Sequence, residues 1–150
     1  MELYIVRHGE TIWNKEKRLQ GSTDIELGPE GIRLAKETGE ALMNTHIDVI
    51  YSSPLKRAYT TAELIRNDRD IPLITDDRIR ELNFGVSEGE RYEDLYQDEN
   101  CYFKHFFTEP QLYRPSENGE TLEHLVERAT DFMQKVIEPL EESCERVMLV

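Results

Sequence analysis

The feature that most constrains the fold is a short apolar run at residues 3–6, Leu-Tyr-Ile-Val, which stops at Arg7, His8 and Gly9. The run is too short for a helix and is rich in residues that favour strands, which predicts a strand buried on both faces. In an open parallel sheet, ligands bind where the strands end at their carboxyl edge. We therefore expect the first strand to place Arg7 and His8 at the floor of a binding site.

The three residues after this strand have chemistry that suits an anionic ligand. Arg7 carries a planar cation that binds phosphate or carboxylate and stays charged. His8 is a candidate nucleophile or general base at neutral pH. Gly9 allows a sharp turn and a close approach of a ligand to the backbone. Taken alone, the pattern is equally compatible with a strand that ends in a solvated Arg-His pair.

Three segments together resemble a known family. The first segment, which includes Asn14, begins Arg7-His8-Gly9-Glu10-Thr11, and it resembles the signature of the histidine phosphatase superfamily, also called the phosphoglycerate mutase-like family. Residues 52–62 have the pattern Ser-Ser-Pro-Leu-x-Arg-Ala-x-x-Thr-Ala, which resembles the second signature of that family. Residues 78–89 resemble the segment that carries its general acid.

The resemblance implies a role for six residues. His8 would be the nucleophile, and Glu81 would protonate the leaving oxygen. The residues that would hold the phosphoryl group are Arg7, Asn14, Gly21 and Arg57. Outside this resemblance, Arg57 and Glu81 are compatible with ordinary surface charges, and the Gly21 run with an ordinary loop. Glu88 also lies in the third segment, but the motif points to Glu81.

Composition excludes several classes of partner. The net charge is −13, from 18 basic and 31 acidic residues, which argues against nucleic acid or an anionic membrane. No apolar run approaches the ~20 residues of a membrane span, and no secretory signal is visible. Cys101 and Cys144 lie near no motif, so we expect reduced thiols and a cytoplasmic location. No His, Cys and Asp cluster has ligand spacing, so we expect neither a metal nor a cofactor.

Alternating patterns predict an α/β sandwich. The predicted strands cover residues 3–6, 47–51, 71–75 and 146–150. Predicted helices begin at Pro29 and Pro54, cover residues 91–97, and run from residue 122 until Pro139 kinks or ends the last one. The core-facing stripe of that last helix comprises Leu122, Leu125, Val126, Ala129, Phe132, Met133, Val136, Ile137 and Leu140. In the helix after Pro29, Gly39 would allow a close approach to the sheet.

The fold that follows is a three-layer α/β/α sandwich with a mainly parallel sheet, phosphoglycerate mutase-like, with its C-terminal part missing. The resemblance implies that the first strand is central, between the second strand and the last one. We expect one domain over residues 1–150.

Residues 99–117 are irregular and aromatic. The resemblance implies that this insertion caps the pocket and sets substrate preference. Two interpretations remain open: a lid that suits a substrate with an apolar or ring portion, or a small satellite core. The ring-bearing residues are Tyr102, Phe103, His105, Phe106, Phe107 and Tyr113.

One expected part of the site is absent from the sequence. In the family, the last strand runs into a second histidine followed by Gly, whereas this sequence ends at Val150. His46, His105 and His124 lie in the wrong context to replace it. Three explanations are open: a fragment of a longer protein, which we favour, a natural short form, or a degenerate member that binds without turnover. Losing one preorganised donor typically costs ~10²–10³ in rate, so a short form need not be inactive.

The function expected from the resemblance is that of a phosphatase that acts on a small phosphorylated metabolite through a phosphohistidine. The alternative is a mutase, in which a hydroxyl of the bound product, not water, takes the phosphoryl group. The compact middle segment favours the phosphatase. An alternative of another class is a phosphate-ester binding module without catalysis. The sequence does not indicate the oligomeric state, and a homodimer is among the open assemblies.

Overall fold

A computed structural model describes residues 1–150, apart from the side chain of Tyr102, so the predicted role of that ring lies outside the described residues. The strands are β1 (Glu2–Ile5), β2 (Val49–Ser52), β3 (Leu73–Thr75) and β4 (Arg146–Leu149). The α-helices are α1 (Ile12–Lys15), α2 (Pro29–Ala41), α3 (Lys56–Arg66), α4 (Tyr92–Gln97) and α5 (Leu122–Phe132). None of the described helices is long and apolar enough to cross a membrane. The four strand predictions are confirmed to within two residues at each end.

The strands form one parallel sheet in the order β1-β4-β2-β3. β4, not β1, has neighbours on both sides: Val147 pairs with Leu3 of β1 and with Val49 of β2. Val147 and Met148 are fully buried, whereas Ile5 of β1 is 78% exposed. The predictions that β1 is buried on both faces and lies between β2 and β4 are therefore wrong for the described sheet. A short apolar run identifies a strand but not the number of its neighbours, because pairing is set by distant segments.

Helices cover both faces of the sheet, so the predicted three-layer architecture is confirmed. On one face, α3 covers a core that includes Ile50, Ala62, Ile65 and Met148, and α2 packs against α3. On the other face, α5 and the turn after it cover a core that includes Val49, Phe132, Ile137 and Val147. The helices leave the carboxyl ends of the strands uncovered, and the polar residues that follow β1 and β2 lie at this edge.

Gly39 permits a close approach, but of α2 to α3 and not to the sheet. A Cβ at this position would lie 2.7 Å from the Leu64 carbonyl oxygen and 3.1 Å from Cα of Ile65. The prediction that Gly39 faces the sheet is therefore wrong. The small residue is needed because the two helix backbones touch there.

The last helix is shorter than predicted and changes its pitch. α5 ends at Phe132 and continues as a π-helical turn, Met133–Ile137, and a 3₁₀ turn, Glu138–Glu142. Pro139 was predicted to kink or end the helix, but the α-helix already ends at Phe132, and Pro139 lies in the 3₁₀ turn, where its missing N–H is tolerated. Val126 is 61% exposed, so the predicted core stripe is narrower than expected.

The aromatic rings of segment 99–117 form a satellite core. Phe103 and Tyr113 are buried, and Phe84 makes edge-to-face contacts with both, with ring centroids 5.6 and 6.5 Å apart. This arrangement agrees with the satellite-core alternative for these two rings, whereas Phe107 is 64% exposed. That the segment also caps a pocket stays a prediction.

Candidate active site

The carboxyl ends of β1 and β2 bring His8 and Arg57 together. β1 ends shortly before His8, and β2 ends shortly before Arg57, which lies in the first turn of α3. The Thr61 hydroxyl links the two segments, because it donates to the Arg57 carbonyl oxygen at 2.7 Å and accepts from the Gly9 N–H at 3.3 Å. Thr61 is buried, so water does not compete for this link.

His8 is held in the tautomer that a nucleophile needs. Its Nδ1 lies 2.7 Å from the Gly9 carbonyl oxygen, so Nδ1 carries the donated proton and Nε2 keeps its lone pair. Burial lowers the pKa of His8 below its ordinary value, and the bond to Gly9 opposes this shift. The positive charges of Arg57 and Arg7 lower the pKa further, so both lie within electrostatic reach of the ring. The imidazole is therefore neutral, and nucleophilic, at neutral pH.

Arg57 is a buried cation with one donor left over. The residue is only 1% exposed, and its Nη1 and Nη2 donate to the carbonyl oxygens of Thr23 and Gly21 at 2.9 and 2.6 Å. Its Nε is buried and has no partner among the described residues. Burial lowers the pKa of Arg57, yet a guanidinium stays protonated at neutral pH. A buried cation with an unpaired N–H is suited to bind an anion, which would satisfy both the charge and the donor.

Glu88 fixes the loop of residues 21–23, whose carbonyl oxygens bind Arg57. The Glu88 carboxylate accepts from the backbone N–H groups of Ser22, Thr23 and Phe84 at 2.8, 2.7 and 2.9 Å, and from the Thr23 hydroxyl. Burial alone would raise the pKa of Glu88, but these hydrogen bonds outweigh burial and hold the pKa below its usual range. Gly21 is required because a Cβ there would lie 2.6 Å from the carbonyl oxygen of Leu82.

Asn14 and Arg7 flank His8 in different ways. Oδ1 of Asn14 accepts from the backbone N–H of Thr11 at 3.1 Å, and the Asn14 N–H donates back to the Thr11 hydroxyl at 3.2 Å, which caps α1. The Asn14 amide nitrogen therefore has no protein partner within the described chain. Arg7 is exposed and likewise makes no hydrogen bond or ion pair with the residues that the structure describes.

Glu81 lies beside a cavity of about 800 Å³, which Ser22 and Arg80 also line. Its side chain is exposed and accepts from the Leu82 N–H at 2.8 Å. The negative charge of Glu81 opposes the burial-driven lowering of the Arg57 pKa, so the two groups lie within electrostatic reach of each other. The residues that the structure describes contain no group of three His, Cys, Asp or Glu residues that could hold a metal ion.

The comparisons with known proteins agree on the family. The family model of the histidine phosphatase superfamily (branch 1) matches residues 3–150. The chain belongs to this superfamily. Phosphoserine phosphatase 1 of Hydrogenobacter thermophilus is 35% identical over 136 residues, which are 91% of this chain and 64% of that protein. A probable phosphoglycerate mutase GpmB of Yersinia pestis is 37% identical over 128 residues, which are 85% of this chain and 59% of that protein.

A solved structure gives the same assignment. Bacillus stearothermophilus YhfR superposes with a TM-score of 0.86 at 36% identity, over 98% of this chain and 71% of that one. The predicted phosphoglycerate mutase-like α/β fold is thereby confirmed. The chain spans less than two thirds of the length of both curated relatives, 64% and 59%.

The structure groups the residues that the histidine phosphatase resemblance singled out. His8 has Arg7 and Arg57 within electrostatic reach, and Arg57 has Glu81 within reach. Gly21 lies beneath Arg57, to which it offers a carbonyl oxygen. The roles of all six residues, including Asn14, stay predictions.

Sequence reasoning missed the residues that support these groups. Thr61 and Glu88 make their hydrogen bonds to segments far away in the sequence. Tyr92 was not predicted as part of the site either. Burial raises the pKa of its phenol, the charge of Arg7 opposes this rise, and the charge of Glu81 adds to it. Tyr92 therefore lies near both residues. The only signals were the positions of Thr61 and Glu88 inside recognised segments.

Proposed function

We propose that this histidine phosphatase superfamily member hydrolyses phosphomonoesters of small metabolites through a phosphohistidine at His8. The observation that carries the proposal is the pairing of a neutral imidazole, with Nε2 free, and a buried guanidinium whose Nε has no partner in the described chain. Such a pair offers a nucleophile to the phosphorus atom and a hydrogen-bond donor to the negatively charged oxygens of the phosphoryl group.

The first step transfers the phosphoryl group to the protein. Nε2 of His8 attacks phosphorus in line, the N–P bond forms, and the bond from phosphorus to the ester oxygen breaks. Glu81, in its protonated form, gives its proton to the departing oxygen, so the alcohol leaves neutral. The Gly9 carbonyl oxygen keeps the Nδ1 proton of His8 in place and stabilises the charge on the ring.

The second step returns the protein to its starting state. The Glu81 carboxylate takes a proton from water, whose oxygen attacks phosphorus. The N–P bond breaks, inorganic phosphate leaves, and Nε2 of His8 regains its lone pair. In both steps Arg7, Arg57 and the Asn14 amide hold the equatorial oxygens, where charge is spread in the loose transition state, and the Gly21 loop supports Arg57.

Labelling tests this proposal. Incubation with a ³²P-labelled phosphomonoester should give an acid-labile, base-stable label on the wild-type chain and none on His8→Asn. His46→Asn is the matched control, because His46 is exposed and pairs only with Asp48 in the described chain. Binding of the ester without label on any residue would instead support the binding module and reject the phosphohistidine mechanism.

A mutase is the second candidate, because a relative named a probable phosphoglycerate mutase is 37% identical. Water and the hydroxyl of a bound product compete for the same phosphohistidine. Product analysis with 3-phosphoglycerate separates the two: inorganic phosphate is expected from the phosphatase, whereas isomerisation without phosphate release would replace this proposal by the mutase.

We further propose that segment 99–117 caps the site and sets substrate preference. Support comes from Tyr92, near Arg7 and Glu81, whose ring stacks on Phe103 of the segment with centroids 5.8 Å apart. Replacing Phe106 and Phe107 together should change the ratio of kcat/KM between aryl and alkyl phosphates, and an unchanged ratio would reject the cap.

We place the protein in the cytoplasm, which the free thiols of Cys101 and Cys144 support.

A further inference from the structure

Arg128 of α5 holds the chain just before Glu81. Its Nη1 donates to the carbonyl oxygens of Arg78 and Arg80, both at 2.7 Å. Its Nη2 lies 3.4 Å from the carbonyl oxygen of Glu81 itself. One guanidinium thus binds three carbonyl oxygens where a 3₁₀ turn, Asp77–Ile79, passes into chain without regular structure.

Glu120 completes this arrangement from the other side of Glu81. Its carboxylate accepts from Arg128 Nε at 2.6 Å and from Nη2 at 2.8 Å, which is a bidentate pair. The Glu120 backbone N–H donates to the Asn83 carbonyl oxygen at 2.7 Å, and its carboxylate lies 3.3 Å from the Asn83 N–H. The side chains of Arg128 and Glu120 are only 13% and 8% exposed, so the pair is shielded from water.

Glu81 has little support of its own. The side chain is exposed, and its one hydrogen bond in the described structure is to the neighbouring Leu82 N–H. Its direction is therefore set by the backbone on either side, which Arg128 and Glu120 hold. An error of about 1 Å in the position of a reacting group can cost ~10²-fold in rate.

We propose that the Arg128–Glu120 pair is a positioning device for Glu81, and that it determines how well the protein protonates poor leaving groups. The inference rests on the proposed function, since it assigns the pair to the step in which the ester oxygen departs. Neither residue touches the phosphoryl group in this scheme: both act through the backbone of residues 78–83.

The test compares two substrates in one sample. The p-nitrophenolate of p-nitrophenyl phosphate leaves without a proton, whereas the alkoxide of glycerol 1-phosphate needs one. Arg128→Gln should lower kcat/KM for glycerol 1-phosphate by roughly 10- to 100-fold more than for p-nitrophenyl phosphate, because general-acid catalysis contributes ~10²–10⁴-fold. The ratio of the two rates does not depend on how much of the sample is folded, so partial unfolding cannot imitate the effect.

Three further variants define the outcome. Glu120→Gln, which keeps an oxygen acceptor for Arg128, should shift the ratio in the same direction but less. Arg33→Gln is the matched control, because Arg33 is exposed and pairs with Glu30 and Glu37 on its own helix. In a Glu81→Gln background, Arg128→Gln should leave the ratio unchanged, since the two substitutions act on the same step.

The possible failures are distinguishable. The quantity compared is kcat/KM for glycerol 1-phosphate divided by kcat/KM for p-nitrophenyl phosphate. If this ratio falls in Glu81→Gln but not in Arg128→Gln or Glu120→Gln, the positioning role is overturned and the proposed phosphatase activity stands. A ratio that Glu81→Gln does not change overturns the role of Glu81 as acid and the positioning role with it. Absence of both turnover and His8 label in the wild-type chain rejects the proposed function itself.

Discussion

Replacing Glu88 by Gln tests whether one carboxylate holds the loop beneath Arg57. The two oxygens have different partners: Oε1 accepts from the N–H groups of Ser22 and Phe84, and Oε2 accepts from the N–H and hydroxyl of Thr23. Gln keeps one oxygen but places an NH₂ group where the other stood. The Thr23 N–H therefore loses its acceptor and faces another donor.

The expected loss of stability follows from these bonds. A hydrogen bond to a charged group contributes about 1.5–3 kcal/mol, and an unpaired buried donor costs about 1–3 kcal/mol. We expect Glu88→Gln to lower the free energy of unfolding by roughly 2–4 kcal/mol. For a chain of this length, that change lowers Tm by about 5–15 °C.

The effect should also depend on pH. The pKa of Glu88 is lowered in the folded protein from its ordinary value of 4.5, so its charge stabilises the fold above that value. The contribution is lost as the pH falls through the lowered folded pKa. The difference in stability between wild type and Glu88→Gln should therefore be full at pH 7 and shrink below about pH 4.

Thermal unfolding followed by circular dichroism measures this difference, with Glu90→Gln as the control. Glu90 is exposed, and its side chain has no hydrogen-bond partner in the described part of the chain. The kcat/KM for p-nitrophenyl phosphate should also fall by roughly tenfold or more in Glu88→Gln, because Arg57 loses its support. Equal Tm and equal activity of the two variants would refute the reasoning.

Three other measurements test the site. Because burial lowers the pKa of His8 from 6.5, the acidic limb of kcat/KM against pH should have its midpoint below pH 6.5, and a midpoint above that value would contradict the assigned environment. Arg57→Lys should lower kcat by ~10²-fold, since an ammonium cannot bond two carbonyl oxygens and an anion in the same fork, whereas full activity would show that Arg57 is not needed. Gly21→Ala should lower the free energy of unfolding by about 1–3 kcal/mol through the clash with Leu82, measured by urea denaturation, and unchanged stability would show that the loop can move aside.

Local patterns predicted the local features. Apolar runs and proline positions were enough to place four strands and most helices, because those signals are contained in each segment. The contiguous motif around His8 and the turn before Arg57 were visible for the same reason.

Features that depend on distant segments were not predictable. The predicted strand order was wrong. Nothing in residues 3–6 shows that β1 lies at the edge of the described sheet and pairs with β4 alone. Arg128 could not be recognised as a support for Glu81, because 48 residues separate it from Arg80, whose carbonyl oxygen it binds. An Arg in an amphipathic helix has the same sequence pattern whether it meets water or a remote backbone.

Arg57 rests on two neutral carbonyl oxygens and forms no ion pair with the side chains that the structure describes. A bonded carboxylate would have to be displaced by each incoming phosphate, whereas the two peptide carbonyl groups fix the direction of the guanidinium and leave its Nε–H without a partner in the described chain. A protein with a net charge of −13 can keep one unpaired cationic donor in this way, although the carboxylates of Glu81, Glu88 and Asp24 act on it from a distance. Substitutions of distant surface acids should therefore change this donor little, since solvent and salt screen exposed charges far more than enclosed ones.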